Sequence, residues 1–269
     1  TSLGNNTFTG CVSLESIALP TSVSVIGSYV FDSCTALSVI SLPTSLNRID
    51  AGAFARTSLQ TIDIPSSCSV LGDEAFQSTA LTSIQLRRGL VRIGRRAFQY
   101  TASLGTVDIP DSVRVIEDGA FASSSVSAVT VGNGTLEIGA GAFASCGSLT
   151  VLDLPESLTS IGDSAFQSSG LTSIILRSGL VSMGSSAFMS CVSLVDISIP
   201  SSLTSLGNNT FTGCVSLESI AVPTSVSVIG SYVFDSCTSL RTISITTSVT
   251  RISQHAFSSC TALSVISLP

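Results

Sequence analysis

The stretch Ile138-Gly139-Ala140-Gly141-Ala142-Phe143-Ala144-Ser145-Cys146-Gly147-Ser148-Leu149, with Leu152-Asp153-Leu154-Pro155 just behind it, decides how this 269-residue chain is read. All twelve phenylalanines occupy the slot of Phe143: Phe8, Phe31, Phe54, Phe76, Phe98, Phe121, Phe143, Phe166, Phe188, Phe211, Phe234 and Phe257. Every interval between them is 22 or 23 residues. A period of that size, held along the whole chain, means stacked units with one continuous core. The expectation is an α/β repeat solenoid of about twelve units, spanning 1–269 as a single body. Capping units with a polar outer face are not visible, so the chain reads as a segment of a longer protein.

Each unit has three parts. The first is a strand, Leu-x-x-Ile-x-Leu-Pro, as in Leu37-Ile40-Leu42-Pro43. Its Ile and last Leu are two apart and share one face. The eight prolines, Pro20, Pro43, Pro65, Pro110, Pro155, Pro200, Pro223 and Pro269, close such strands, because proline lacks the N–H that would extend the ladder. Arg87, Gly132, Arg177 and Thr246 stand there in the other units. The second part is a short apolar piece, Val23-x-x-Ile26-Gly27, whose glycine suggests a backbone constraint that a Cβ would violate. The third is Ala-Phe-x-x-Cys-x-x-Leu, with apolar residues three apart. That spacing predicts a helical or 3₁₀ turn opposite the sheet. Stacking the units would put the phenylalanines in one column, each worth roughly 2–3 kcal/mol on burial.

The units starting at Phe54, Phe76, Phe121 and Phe166 are one residue short and carry Thr57, Thr79, Ser124 and Ser169 three after Phe. Longer units carry Cys11, Cys34, Cys146, Cys191, Cys214, Cys237 and Cys260 there, with Thr101 the exception. The least regular part is Val126 to Ile138, where Gly132 replaces Pro and Thr135 stands where Val or Leu usually sits. A local kink is expected there. Residues 1–37 recur as 204–240 with two changes, a sign of duplication that reaches exposed positions too.

Charged residues are only 10% and apolar ones 44%, so the chain is not disordered. The net charge is −6, with eleven arginines and no lysine. This balance argues against nucleic acid and anionic membrane as partners, since both need a positive footprint. No apolar run is long enough for a membrane helix. The sequence shows no signal-peptide pattern.

The motif Leu-x-x-Ile-x-Leu-Pro-x-x-Val-x-x-Ile-Gly-x-x-Ala-Phe-x-x-Cys-x-x-Leu resembles the BspA-like class of leucine-rich repeats over essentially the whole chain. The resemblance implies a curved solenoid with a parallel sheet on one face and short helical turns on the other. It implies a surface-exposed or secreted protein that binds host molecules, matrix or other cells. The family has no shared catalytic residues to carry over.

The candidate sites follow from the columns. Seven cysteines share one repeat position, and neighbouring strands lie within the Cα range of a disulfide. Alternation with Thr and Ser points instead to small packed thiols. No C-x-x-C pair suggests a metal centre, and Cys68 sits at a core position. The one histidine, His255, precedes Cys260 by five residues, too little for a catalytic constellation without an orienting group. Asp63, Asp108 and Asp153 recur in alternate units on the sheet face, where a cation could be held or where solvent is simply faced. Arg87, Arg88, Arg92, Arg95 and Arg96 cluster, as a solvated edge or a docking patch for an acidic partner. Asn5, Asn133 and Asn208 head N-x-T sequons that matter only in a secreted protein.

These features predict no catalytic residue, cofactor or metal. They favour a non-catalytic extracellular or cell-surface scaffold, meeting protein or glycan partners on the sheet face or packing laterally on itself. An intracellular interaction scaffold, and a targeting arm for an enzyme, remain as alternatives.

Overall fold

The computed structural model describes residues 1–267; Pro269, expected to close the last strand, lies outside them. The chain winds as a solenoid whose coils have three legs. The first leg is the Leu-x-x-Ile strand. Thr61–Ile64 pairs in parallel with Ser83–Leu86, and Thr106–Ile109 with Ala128–Val131, each residue facing its equivalent one coil on. Alternation sets the faces: Ile62 and Ile64 are buried while Thr61 and Asp63 are exposed.

The second leg holds a feature the sequence shows only as a short apolar piece. Two-residue strands from Ser2–Leu3 through Ser182–Met183 form one nine-stranded parallel sheet. Ser205–Leu206, Val228–Ile229 and Arg251–Ile252 form a second sheet. The glycine after these strands serves close approach: a Cβ at Gly72 would lie 2.5 Å from the Asp50 carbonyl carbon of the preceding coil.

The third leg corrects the expectation of a helical or 3₁₀ face. Among the described residues there is no helix. The residues two before and two after each phenylalanine are left-handed, as Tyr29 (φ 56°) and Ser33 (φ 59°) are around Phe31. Such residues every fourth position cannot continue a right-handed helix. The N–H groups are also committed elsewhere. Tyr29, Phe31 and Ser33 donate to the carbonyls of Ala51, Ala53 and Ala55 one coil on, at 2.8, 2.8 and 2.9 Å. The leg is a chain of turns tied to its neighbour by a ladder of its own.

Inside, consecutive phenylalanine rings stack with centroids 5.0–5.8 Å apart and planes within 17° of parallel. The expected kink between Val126 and Ile138 does not interrupt this order. Phe121 and Phe143 are 5.2 Å apart and parallel, and Ala128–Val131 ladders to both neighbouring strands. Gly132 lets the chain lie against Pro110, and the buried Thr135 hydroxyl donates to the Val113 carbonyl. A polar residue therefore fits an apolar slot without an unmet bond.

Candidate functional site

Outside the core, the outer face of the Leu-x-x-Ile strands is exposed coil after coil. It is mostly small and polar, with Val39, Val151 and Ile175 standing exposed. Two of its three recurring aspartates are already occupied by the chain's own cations. Arg87 grips Asp63 with Nε at 2.8 Å and Nη2 at 2.7 Å, and this hydrogen-bonded pairing holds the Asp63 carboxyl below its usual range. Arg177 donates Nη2 to Asp153 at 3.0 Å and Nε to the Leu154 carbonyl at 3.0 Å. The reading of Asp63 and Asp153 as ligands for a bound cation gives way to two intramolecular ion pairs. Asp108 makes no ion pair among the described residues.

The arginine cluster does not form one patch. Arg87 and Arg88 lie at the end of the first leg, Arg92 on the second leg, and Arg96 at a left-handed position of the third. Four of the five are held by carboxylates. Arg92 bridges three coils, reaching Asp73 at 2.8 Å and Glu117 at 2.5 Å. Arg95 meets Asp118 and Arg96 meets Glu74. These pairs staple coils together and leave Arg88 as the member without an ion pair among the described residues. Shallow clefts lie at the Pro/Arg corner, one of about 670 Å³ beside Arg88 and Asp63 and one of about 390 Å³ at Gly132.

The thiols are free, and all but the exposed Cys11 are buried or half-buried. Cys34, Cys146, Cys191, Cys214, Cys237 and Cys260 each donate Sγ–H to the carbonyl of the phenylalanine one coil back, at 3.0–3.2 Å. Where Thr57, Thr79 or Thr101 stands instead, its hydroxyl donates to the phenylalanine carbonyl of its own coil at 2.8–2.9 Å. Ser124 and Ser169 instead pair their hydroxyls with the Cys146 and Cys191 thiols, at 3.5 and 3.3 Å. Burial raises the Cys68 thiol to about 11 and the Cys237 thiol to about 12. His255 stacks on Tyr232 at 4.8 Å, while the Cys260 thiol turns to Phe234, so the two do not form a base–nucleophile pair.

All three sequon asparagines are exposed. Asn5 and Asn208 accept the N–H of Ser28 and Ser231, each at 2.9 Å. Asp73, Asp118 and Asp163 do the same in other coils. Asn133 uses only its backbone N–H, donated to Asp111.

A family model of the BspA type leucine rich repeat region matches residues 1–127 and 136–264, in six copies. The chain belongs to the BspA-type leucine-rich repeat family. The eight residues between the two matched stretches, 128–135, fall in the least regular part of the sequence. Among solved structures, this BspA-type chain is similar to a leucine-rich repeat protein of Bacteroides ovatus, at 30% identity and a TM-score of 0.82, covering all of this chain and 76% of that one. It also matches a leucine rich cell surface protein of Faecalibacterium prausnitzii, at 28% identity and a TM-score of 0.54, over 99% of this chain and 82% of that one. A leucine-rich repeat protein of Eubacterium ventriosum shares the fold at 18% identity and a TM-score of 0.58, over 100% and 76%. No curated protein matches the chain.

Sequence reasoning missed one organising feature of this BspA-type face. Asp63, Asp108 and Asp153 are followed 24 residues later by Arg87, Gly132 and Arg177, and two residues after those by Gly89, Gly134 and Gly179. Each set recurs every 45 residues, a two-coil period that was legible once the Pro slot and the Asp column were read together.

Proposed function

We propose that this BspA-type solenoid is a non-catalytic protein-binding scaffold displayed at the cell surface or secreted, and that partners meet it on the outer face of the Leu-x-x-Ile strands. The observation that carries the reading is the division of labour along those strands. Every inward residue is spent on the core, and the outward ones form a long open surface whose clefts are shallow. Such a surface suits broad contact more than capture of a small molecule. The family and the cell-surface name of one similar protein support the location. On this reading Asn5, Asn133 and Asn208 are glycan acceptors if the protein passes through a glycosylating secretory route. In Asn5 and Asn208 the side-chain oxygen holds the neighbouring coil while the amide nitrogen has no partner among the described residues, so a glycan there would leave the inter-coil bond in place.

The test is antibody labelling and protease shaving of intact cells with the native full-length protein. Signal on intact cells supports the reading, and signal found only after lysis, in the cytosolic fraction, refutes it in favour of an intracellular scaffold.

A further inference from the structure

The sheet of Leu-x-x-Ile strands is not continuous. Val39–Ser41 pairs with Ser16–Ala18 and Thr61–Ile64 pairs with Ser83–Leu86, but these two ladders do not join each other. The break uncovers core. Ile40 and Leu42 are only half-buried, whereas Ile62 and Ile64, at the same two positions one coil on, are 5% and 0% exposed. A cleft of about 670 Å³ opens there, lined by Ile40, Leu42 and Pro65 and, as its charged groups, by Asp63, Arg87 and Arg88.

We propose that this cleft anchors the C-terminal residue of a partner polypeptide, its aliphatic side chain on the uncovered core residues and its terminal carboxylate on Arg88. The charge count selects an anion. Arg87 and Asp63 cancel in their two-bond ion pair, which leaves the Arg88 guanidinium as the net charge of the cleft. Arg88 is exposed and makes no ion pair among the described residues, and its planar fork fits a carboxylate with two parallel N–H bonds. It also borders the cleft at Gly132, where Asp111, Asp153 and Glu156 form no ion pair with it. The apolar lining selects what carries the anion. A hydrated inorganic ion gains nothing from Ile40 and Leu42, whereas an aliphatic side chain takes them out of water. A free C-terminus holds both groups on one residue, so a single short element meets both halves of the cleft.

The chain carries its own comparison. The sheet breaks again between Val151–Asp153 and Ser173–Ile175, with a cleft of about 280 Å³. Its arginine, Arg177, is committed to Asp153 and to the Leu154 carbonyl, and Ser178 stands where Arg88 would be. That cleft has the apolar lining without an uncommitted cation, so it has no means of selecting a carboxylate.

This inference rests on the strand-face reading above and gives it an anchor point. The probe is N-acetyl-leucine, titrated into the folded chain at low salt and followed by methyl chemical shifts, with N-acetyl-leucine amide, N-acetylglycine and acetyl-Gly-Gly-Leu alongside. Shifts are expected at Ile40 and Leu42. Loss of the charge in the amide should raise the Kd about fivefold, the size of one exposed ion pair. Arg88→Ser should weaken the acid by the same factor and erase the difference between acid and amide. Arg241→Ser, at an exposed arginine outside the cleft, should change neither. No shift at Ile40 or Leu42, an acid–amide difference that survives Arg88→Ser, or N-acetylglycine binding as well as N-acetyl-leucine overturns the anchor. So does failure of acetyl-Gly-Gly-Leu to bind where N-acetyl-leucine does, which would make this a site for a free small acid. Each of these outcomes leaves the strand-face reading standing, because that reading falls to the cell-labelling test above.

Discussion

Replacing Phe143 by alanine tests the stacked column most directly. Its ring is fully buried and lies between Phe121 at 5.2 Å and Phe166 at 5.7 Å. Truncation removes the transfer free energy of the ring and leaves a cavity the coils cannot close, because each coil is pinned by ladders to both neighbours. A loss of about 3–5 kcal/mol follows, towards the upper end because two ring faces lose a partner. Phe143→Leu fills more of the space and should cost clearly less. Because a solenoid's stability is nearly a sum of unit and interface terms, the alanine variant should also uncouple its two halves and broaden or split the transition. Urea unfolding followed by circular dichroism measures both effects. A loss under about 1 kcal/mol with an unchanged single transition would refute the claim that the ring column carries the inter-coil coupling.

Gly72→Ala puts a Cβ 2.5 Å from the Asp50 carbonyl carbon and should cost about 1–3 kcal/mol by the same unfolding assay, more than the same change at exposed, unhindered Gly147. The buried thiols Cys34, Cys68, Cys146, Cys191, Cys214 and Cys237 should resist a thiol-specific disulfide reagent at neutral pH, and all eight cysteines should react once the chain is unfolded in guanidinium. Fewer than eight in the unfolded, unreduced protein would reveal a disulfide. The Asp63–Arg87 pair should give an acid-side effect. The folded carboxyl titrates below its unfolded value, so the pair's contribution is present above the ordinary carboxylate range and is lost as pH falls through the folded value. Carboxyl NMR titration should show Asp63 moving up in Arg87→Ala.

The period, the inward face of the first strand and the family were legible because they depend on residue type at fixed spacing. The second sheet was not, because two-residue strands such as Val25–Ile26 are too short to show alternation. The third leg was misread for a physical reason. Apolar residues three apart suit a 3₁₀ turn, but Tyr29, Ser33, Glu74 and Ser78 adopt left-handed φ without being glycine, and only the neighbouring coil's carbonyls hold them there. Tertiary contacts overrode local preference. The arginine cluster was ambiguous for a related reason. Five basic residues in ten positions look like a patch along a line, while on a three-legged coil they point around a ring.

The chain contains its own control for that ring. Residues 164–194 match residues 74–104 at 18 of 31 positions, and among the differences Ser178, Ser182, Ser185 and Ser186 stand in place of Arg88, Arg92, Arg95 and Arg96. The serine version keeps its ladder and its buried Phe188, so the fold does not need the arginines. What they add is attraction between coils, and Arg92, about a third exposed, bridges the largest span. Installing the four serines at 88, 92, 95 and 96 should leave a folded solenoid that is less stable by about 1–2 kcal/mol at low salt, once solvent screening of these pairs is counted. Between low salt and 1 M sodium chloride the difference from the parent chain should shrink, because the Debye length falls to about 3 Å. A difference that survives high salt would mean that the arginine stems pack against the neighbouring coils and that charge is secondary. A variant that fails to fold would mean that the paired Asp73, Glu117 and Asp118, left without their cations, repel one another more strongly than solvent can screen.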